Sequence, residues 1–190
     1  MQYKELKIEE FLEKLSSKES MPGGGVASAL VAAEGASLGI MVCSLTIGKE
    51  KYKDNEELVI KVKNELENYK KDFLSIMDKD AETFKVMEKV YTMPKITEEE
   101  KENRKRELEK ACKICCETPK VLMQKSHEAL LLIESIKGKT NMSAASDLEV
   151  GTVFLKTAIK GAWDNIAINL KYIKDENFIK EYEQLGEKYV

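Results

Sequence analysis

The chain has 190 residues, which is enough for one domain with a substantial hydrophobic core, and we expect residues 1–190 to form a single domain. Its 31 basic and 34 acidic side chains nearly balance and no basic block occurs, which argues against a nucleic-acid-binding protein. Only three prolines interrupt a sequence rich in Lys, Glu, Leu and Ala, and this composition predicts an all-α protein.

The periodicity of apolar residues predicts a bundle of about five to seven helices. The first helix covers about residues 4–17, and the second covers about residues 25–47. The second helix carries a single charge, Glu34, and is long enough to span a bilayer. A central carboxylate would cost about 2.5–3.5 kcal/mol there on insertion scales. Its many Ala and Gly residues favour a helix buried in a bundle instead, so we expect no membrane partner.

The third predicted helix is long and should be the central helix of the bundle. It covers about residues 55–91 and would be about 55 Å long. Pro94 ends it, because proline cannot continue a helix. Thr97 and Glu100 then form a capping box that begins the fourth helix.

Further boundaries follow from proline and from capping residues. Pro119 should kink or split the fourth helix near its middle. Ser146 or Asp147 can cap a fifth helix that extends to about Ile173. Asp175 can cap a short C-terminal helix in the same way.

The four cysteines lie at positions 43, 112, 115 and 116 and do not form the pattern of a secreted disulfide framework. Residues 1–20 are charged and amphipathic, unlike a signal peptide, so we expect a cytoplasmic protein. A zinc site at residues 112–116 would need a second pair of Cys or His ligands. We therefore expect no metal and interpret these thiols as small buried side chains.

The most unusual stretch is Pro22-Gly23-Gly24-Gly25, which leads directly into the second helix. Glycine lets another group approach the backbone closely, and the first turn of a helix presents unpaired N–H groups that favour anions. The stretch is not a phosphate loop of the usual kind, since no Gly-Lys-Ser/Thr follows and no strand precedes it. A ligand-binding loop and a flexible turn before a closely packed helix are both compatible with this pattern.

Asp80 lies on the apolar face of the third helix, between the directions of Ile76 and Met77, whereas Asp78 projects away from that face. A core-facing carboxylate must find partners or keep its proton, and its pKa tends to rise. Such a group suits general acid/base catalysis near neutral pH. The alternative is a structural carboxylate paired with a lysine or with a helix N-terminus.

Two polar clusters could bind a ligand. Asn165 and Asn169 lie on one face of the fifth helix above small residues, and this recess could hold a heterocycle. The same amides could instead form hydrogen bonds between helices. Lys49, Lys51 and Lys53 follow the second helix and could meet an anionic substrate, although such clusters are usually only solvated.

Several short motifs follow one another in a characteristic order. They are Pro22-Gly23-Gly24-Gly25; Leu45-Thr46-Ile47-Gly48-Lys49 with Tyr52; Asp78-Lys79-Asp80-Ala81-Glu82-Thr83-Phe84; Met93-Pro94-Lys95; Ala145-Ser146-Asp147-Leu148; and Gly161-Ala162-Trp163-Asp164-Asn165 with Ile168-Asn169-Leu170. Their order and spacing resemble the cyclodeaminase/cyclohydrolase family of folate one-carbon metabolism, over nearly the whole chain. This family includes the C-terminal domain of formimidoyltransferase-cyclodeaminase and stand-alone bacterial methenyltetrahydrofolate cyclohydrolases. Val26 departs from the pattern, because relatives often have serine there.

The resemblance implies an all-helical homodimer that binds a tetrahydrofolate derivative and uses no other cofactor. It also implies that Asp80 is the catalytic residue. We expect the substrate-binding residues to lie in the motifs quoted above, at Pro22, Gly23, Gly24, Gly25, Lys49, Asp147, Asn165 and Asn169.

The resemblance leaves two reactions open, because both share 5,10-methenyltetrahydrofolate. A cyclohydrolase hydrolyses this compound to 10-formyltetrahydrofolate, whereas a cyclodeaminase forms it from 5-formimidoyltetrahydrofolate and releases ammonia. The motifs are closer to those of the stand-alone cyclohydrolases and no transferase domain is present, so we expect a cyclohydrolase, with the cyclodeaminase as the alternative. A non-enzymatic helical adaptor would explain the amphipathic helices but not Asp80 or the glycines.

Overall fold

A computed structural model describes residues 2–190 of the chain, and its regular structure is entirely helical. No strand occurs in this range, and the all-α prediction is confirmed. Three short 3-10 turns accompany the six α-helices, at Tyr3–Glu5, Glu50–Asn55 and Met142–Ala144. The α-helices are α1 (Ile8–Leu15), α2 (Gly24–Ser44), α3 (Glu56–Tyr91), α4 (Glu98–Ser135), α5 (Ala145–Leu170) and α6 (Glu176–Tyr189).

Helices α2, α3, α4 and α5 form an antiparallel bundle. Each packs against the next one along the chain, and α5 closes the bundle against α2, so that α2 and α4 lie diagonally opposite each other. Short connections between long helices favour this up-down arrangement. The hydrophobic core runs along the bundle axis, and its largest fully buried side chains include Phe73, Leu122 and Leu155.

Helix α2 approaches its neighbours closely because glycine faces them. A Cβ atom at Gly35 would lie 3.0 Å from the backbone oxygen of Gly151 on α5. A Cβ atom at Gly39 would lie 2.7 Å from the Leu66 side chain on α3. Larger residues at these positions would force the helices apart and weaken the dispersion contacts of the core.

The same helix has the length and composition of a membrane span, with a mean hydropathy of 1.8. Half of its apolar window is buried between α3 and α5. Core helices of globular proteins pass this test as well, so the helix is explained by its place in the bundle.

The structure confirms two predicted helix caps. Thr97 accepts a hydrogen bond from the backbone N–H of Glu100 over 3.2 Å, and the Glu100 carboxylate accepts one from the Thr97 N–H over 2.9 Å. Asp175 accepts a hydrogen bond from the N–H of Phe178 at the start of α6. Both helices therefore begin where the capping signals place them.

The predicted cap of α5 is wrong, and of the kink or split predicted for α4 at Pro119 the split does not occur. Neither Ser146 nor Asp147 caps α5, because the 3-10 turn at Met142–Ala144 already has helical backbone and α5 continues directly from it. Helix α4 is not split at Pro119, although the proline removes one backbone hydrogen bond. Helix α4 packs along α3 and α5, and the Thr118 hydroxyl next to the proline lies 3.2 Å from the Thr83 hydroxyl of α3.

The four bundle helices differ in length, and this difference creates the site. Helix α2 begins beside Asp80, but α3 continues from Asp80 to Tyr91, about 16 Å further. The first part of α4 follows α3 over the same distance. The hairpin of α3 and α4 therefore extends beyond the start of α2 and leaves a recess above it.

Candidate active site

The recess is a cavity of about 540 Å³ between the N-terminus of α2, the second half of α3, the first half of α4 and the last turns of α5. Its volume lies in the range of small-molecule sites. Polar groups line it near the start of α2, and aromatic side chains, together with Arg104, line it towards the last turns of α3 and α5. The polar side chains are those of Ser20, Asp80, Thr83, Arg104, Asn165 and Asn169, and the aromatic ones are Phe84, Tyr91 and Tyr172.

The Asp80 carboxylate is largely buried against the first turn of α2. A Cβ atom at Gly25 would lie 2.7 Å from Cγ and 2.8 Å from Oδ1 of Asp80, which is closer than real Cβ atoms approach other atoms. Position 25 must therefore be glycine if the carboxylate is to occupy this place. The glycine stretch and Asp80 are therefore linked sterically.

Burial raises the pKa of Asp80 from 3.8 to about 6. Loss of solvation penalises the charged form, and no hydrogen bond or cation within residues 2–190 compensates for that loss. No lysine pairs with Asp80, and although the carboxylate lies against the N-terminus of α2 it accepts no hydrogen bond from that turn. A carboxyl group with a pKa near 6 can both accept and donate a proton close to neutral pH.

The N-terminus of α2 also presents unpaired groups to the cavity. Gly23 is the N-cap residue and has no side chain with which to accept a hydrogen bond from the first turn. Gly24 and Gly25 line the cavity, and the N–H groups of the first turn have no partner within the helix. This end of α2 can bind an electron-rich atom of a ligand.

Asn165 lies directly beside Gly24, where an added Cβ atom would be 3.3 Å from its Nδ2, and Asn169 lies one turn further along α5. The amide nitrogen of each donates a hydrogen bond within α5, to Gly161 over 2.7 Å and to Asn165 over 2.8 Å respectively. Their amide oxygens remain available as acceptors. The structure thus places on one wall a pair of acceptors that could receive the N–H groups of a heterocycle.

Two cysteines on α4, Cys112 and Cys115, line the wall beside Asp80. Burial raises the pKa of both thiols to about 11, so they stay protonated and form a weakly polar part of the cavity wall. No three His, Cys, Asp or Glu side chains converge as metal ligands anywhere in residues 2–190.

The structure brings together Asp80, the three glycines, Asn165 and Asn169, and it places two other predicted site residues away from this cavity. Lys49 is exposed and follows the far end of α2, about 30 Å from Gly24 along the helix. Asp147 lies in the first turn of α5, whereas the two asparagines lie near its last turn. Neither residue lines the cavity of its own chain, because each motif lies at the opposite end of a long helix. Pro22 is buried beside the cavity without lining it.

Asp78 has a structural partner rather than a fully solvated surface position. Its carboxylate accepts a hydrogen bond from the backbone N–H of Tyr3 over 2.7 Å and lies 3.4 Å from the ammonium group of Lys4. It therefore holds the N-terminal segment against α3. As predicted, it does not share the environment of Asp80.

Sequence reasoning missed the outer part of the cavity. Arg104, Tyr91 and Tyr172 line it, but they belong to three helix ends whose packing cannot be read from local spacing. Arg104 is one cation in a long charged run. The available signal was the length difference between predicted helices, since a long hairpin beside a shorter helix leaves a recess.

Comparisons with known proteins give a consistent result. The family model described as formiminotransferase-cyclodeaminase matches residues 7–188. The methenyltetrahydrofolate cyclohydrolase of Methylorubrum extorquens is 33% identical over 92% of this chain and 84% of its own length. The formimidoyltransferase-cyclodeaminase of Gallus gallus is 30% identical over 92% of this chain, which spans only 32% of that relative. The solved structure of formiminotetrahydrofolate cyclodeaminase from Thermotoga maritima matches with a TM-score of 0.86 and 25% identity, over 97% of this chain and 88% of the other.

Proposed function

This chain belongs to the formiminotransferase-cyclodeaminase family, and we propose on that premise that it hydrolyses 5,10-methenyltetrahydrofolate to 10-formyltetrahydrofolate. The predicted family is confirmed, and its named relatives are folate one-carbon enzymes. The cyclohydrolase comes first because that relative matches this chain over most of both lengths. The cytoplasmic location remains a prediction.

One observation carries the chemical argument, the buried Asp80 carboxylate without a protein partner. Its pKa of about 6 gives a group that is ionised in much of the population at neutral pH and is also a usable acid once protonated. The methenyl group of the substrate is a cation shared between N5 and N10. An ionised Asp80 attracts this cation, and the low polarity of the site strengthens the attraction.

The hydrolysis needs one base that later acts as an acid. Asp80 accepts a proton from water as the water oxygen bonds to the methenyl carbon. It then donates that proton to N5 as the bond between the carbon and N5 breaks. The hydroxyl group of the adduct loses its own proton and becomes the formyl carbonyl on N10, so that one proton is released overall.

The polar base of the cavity suits the pterin and its aromatic outer part suits the aryl group. The amide oxygens of Asn165 and Asn169 accept hydrogen bonds from pterin N–H groups. The aminobenzoyl ring packs against Phe84 and Tyr91, where an offset or edge-on arrangement is favourable. This orientation puts the reacting carbon near Asp80, between the two ends of the cavity.

The second candidate is the cyclodeaminase reaction, which the likeness to the Thermotoga maritima cyclodeaminase favours. In that reaction N10 attacks the formimidoyl carbon and its proton passes to the imino nitrogen, and Asp80 in its protonated form donates the further proton with which ammonia leaves as its bond to the carbon breaks. The same carboxyl group serves either reaction, so its geometry does not select between them.

An absorbance assay with both folate substrates decides between these candidates. We expect purified protein to consume 5,10-methenyltetrahydrofolate faster than buffer does. Release of ammonia from 5-formimidoyltetrahydrofolate without faster hydrolysis would favour the cyclodeaminase. Absence of both activities and of folate binding would contradict an enzyme and favour the helical adaptor.

We also propose that two copies associate through the outer face of α2 and α5. Met41 of α2, Leu45 directly after it, and Val150 and Val153 of α5 are 38–57% exposed on this face. A second copy would cover this apolar surface, as the family resemblance implies. Sedimentation should give a dimer at micromolar concentration, and Val153→Glu should produce monomers; a monomeric unmodified protein would contradict the proposal.

A further inference from the structure

Helix α4 contains one proline, Pro119, and this residue lines the candidate active site. Further residues of α4 line the cavity at helical spacing and share one stripe with it; they are Arg104, Leu108, Cys112 and Cys115. Proline is the least favourable residue in a helix interior, so helix formation does not account for its place in this stripe.

Pro119 leaves one backbone carbonyl group of α4 without its helical partner. In an α-helix each N–H donates to the carbonyl oxygen four residues earlier, so the partner of the Cys115 oxygen would be residue 119. Proline has no N–H, and its ring crowds the carbonyl group of that earlier residue. Cys115 and Pro119 both line the cavity and lie one turn apart, so the carbonyl group between them lies on the cavity side of α4.

This carbonyl group lies in the same part of the cavity as Asp80. The Cys115 sulfur is 4.0 Å from the backbone oxygen of Thr83, which follows Asp80 by less than one turn of α3. Burial raises the pKa of the Cys115 thiol, and the charges of Cys112 and Asp80 raise it further, as expected of near neighbours.

The other polar groups of this wall have partners or bind hydrogen poorly. The Thr83 hydroxyl is paired with the Thr118 hydroxyl, 3.2 Å away. The two thiols on α4 stay protonated, and sulfur is a weak acceptor. The Cys115 carbonyl oxygen is therefore the strong acceptor that α4 offers beside Asp80.

We propose that the Cys115 carbonyl oxygen, freed by Pro119, holds the attacking water beside Asp80. This inference rests on the proposed function, because hydrolysis needs a water molecule directed at the methenyl carbon. The water donates one hydrogen bond to the Asp80 carboxylate and one to the Cys115 oxygen, which leaves a lone pair for the carbon. The proton on the Asp80 side is transferred as the bond to carbon forms, and the other stays on the hydroxyl group of the adduct. Pro119 is a positioning residue that acts through the Cys115 backbone.

The experiment returns the missing N–H to position 119. In Pro119→Ala the new N–H donates to the Cys115 carbonyl oxygen and competes with the water. We expect kcat for 5,10-methenyltetrahydrofolate to fall about tenfold, the effect of one ordinary hydrogen bond, with KM within about twofold. The melting temperature should not fall, because alanine favours the helix. The midpoint of the pH profile should stay near 6, because Asp80 keeps its surroundings.

Two further proteins separate the N–H from the shape of the wall. Pro119→Val has nearly the side-chain volume of proline together with the new N–H, and it should lose as much kcat as Pro119→Ala. An ester analogue of Pro119→Ala, with lactic acid at position 119, has the alanine side chain without the N–H. It should recover most of the kcat that Pro119→Ala loses.

An unchanged kcat in Pro119→Ala would overturn the inference, as would an equal loss in the ester analogue or a displaced midpoint of the pH profile. In each of these cases hydrolysis by the unmodified protein leaves the proposed function intact. Absence of hydrolysis by the unmodified protein would overturn both.

Discussion

The two ends of the four-helix bundle are both rich in polar groups, but these groups are hydrogen-bonded to each other at one end and lack protein partners at the other. At the closed end, formed by residues 45–55 and 136–144, the polar groups bind each other. Thr46 accepts a hydrogen bond from the N–H of Asn141 over 2.9 Å and donates one to the Val42 carbonyl over 2.7 Å. The Tyr52 hydroxyl oxygen accepts a hydrogen bond from the Met142 N–H over 3.1 Å.

At the cavity end the polar groups lack protein partners. Asp80 accepts no hydrogen bond within residues 2–190, the first turn of α2 has no side-chain cap, and the amide oxygens of the two lining asparagines accept no hydrogen bond in that range. Asp80, Asn165 and Asn169 are partly buried, and polar groups that converge without protein partners in a concave site are available to a ligand. Pairing therefore separates a structural motif from a binding motif where residue types alone do not.

The largest expected effect is the loss of turnover in Asp80→Asn. Asparagine keeps the size of the side chain but cannot carry the proton, and removal of a general acid/base typically costs about a hundred- to ten-thousand-fold in rate. Folate affinity and helicity should change much less. The measurement is kcat/KM beside thermal melting.

Asp78→Asn is the matched control for that variant. Its amide oxygen can still accept the hydrogen bond from the Tyr3 N–H, so turnover should stay close to that of the unmodified protein. Substantial activity in Asp80→Asn, or its loss in Asp78→Asn, would remove the distinction between these two carboxylates.

A smaller loss should follow from Gly25→Ala. The added Cβ atom would collide with the Asp80 carboxylate and displace it, and a displacement of about 1 Å can cost roughly a hundredfold in rate. Gly23→Ala is the comparison, since a Cβ atom there has only the Met21 sulfur within 4 Å, at 3.9 Å. Equal kcat/KM values for the two variants would show that close approach at position 25 does not position the carboxylate.

Asp80 should also make the protein less stable as pH rises. Its pKa is raised in the folded state from 3.8 to about 6, so the folded state binds the proton more tightly and loses that advantage as pH rises from about 4 to about 6. The difference corresponds to about 3 kcal/mol of unfolding free energy. Urea unfolding should therefore find Asp80→Asn more stable than the unmodified protein at pH 7.5, and this difference in unfolding free energy should be smaller at pH 4.5. A constant difference would mean that Asp80 does not titrate in this range.

The smallest effects are expected at the closed end. Thr46→Val removes the acceptor for the Asn141 N–H and should lower the unfolding free energy by about 1–3 kcal/mol without changing kcat. Lys49→Ala removes only an exposed charge and should change neither stability nor turnover by more than about twofold. A large rise in KM for Lys49→Ala would instead indicate that Lys49 lies at the cavity of a second copy.

Much of the fold and the heart of the site follow from local sequence patterns. The position of Asp80 on an apolar stripe was readable because helical periodicity alone decides which way a residue faces. The capping residues Thr97 and Asp175 were readable for the same reason, since their partners lie within one turn.

Other features depend on how separate helices align, which local patterns do not contain. Arg104 can be assigned to the outer wall only when it is known that α3 and α4 extend beyond the start of α2. The separation of Lys49 and Asp147 from Asp80 requires knowing which helix ends meet. The intact helix at Pro119 depends on the tertiary contacts around Thr118 rather than on helix propensity.

The overhang of the α3–α4 hairpin beyond α2 makes the depth of the cavity independent of the core that stabilises the fold. One extra turn in each of these two helices would deepen the recess by about 5 Å and leave the packing of α2 untouched. Ligand length can therefore change in steps of one helical turn, through paired insertions near the hairpin tip at residues 92–97. In this architecture the length of the hairpin can vary while the residues around Asp80 stay the same.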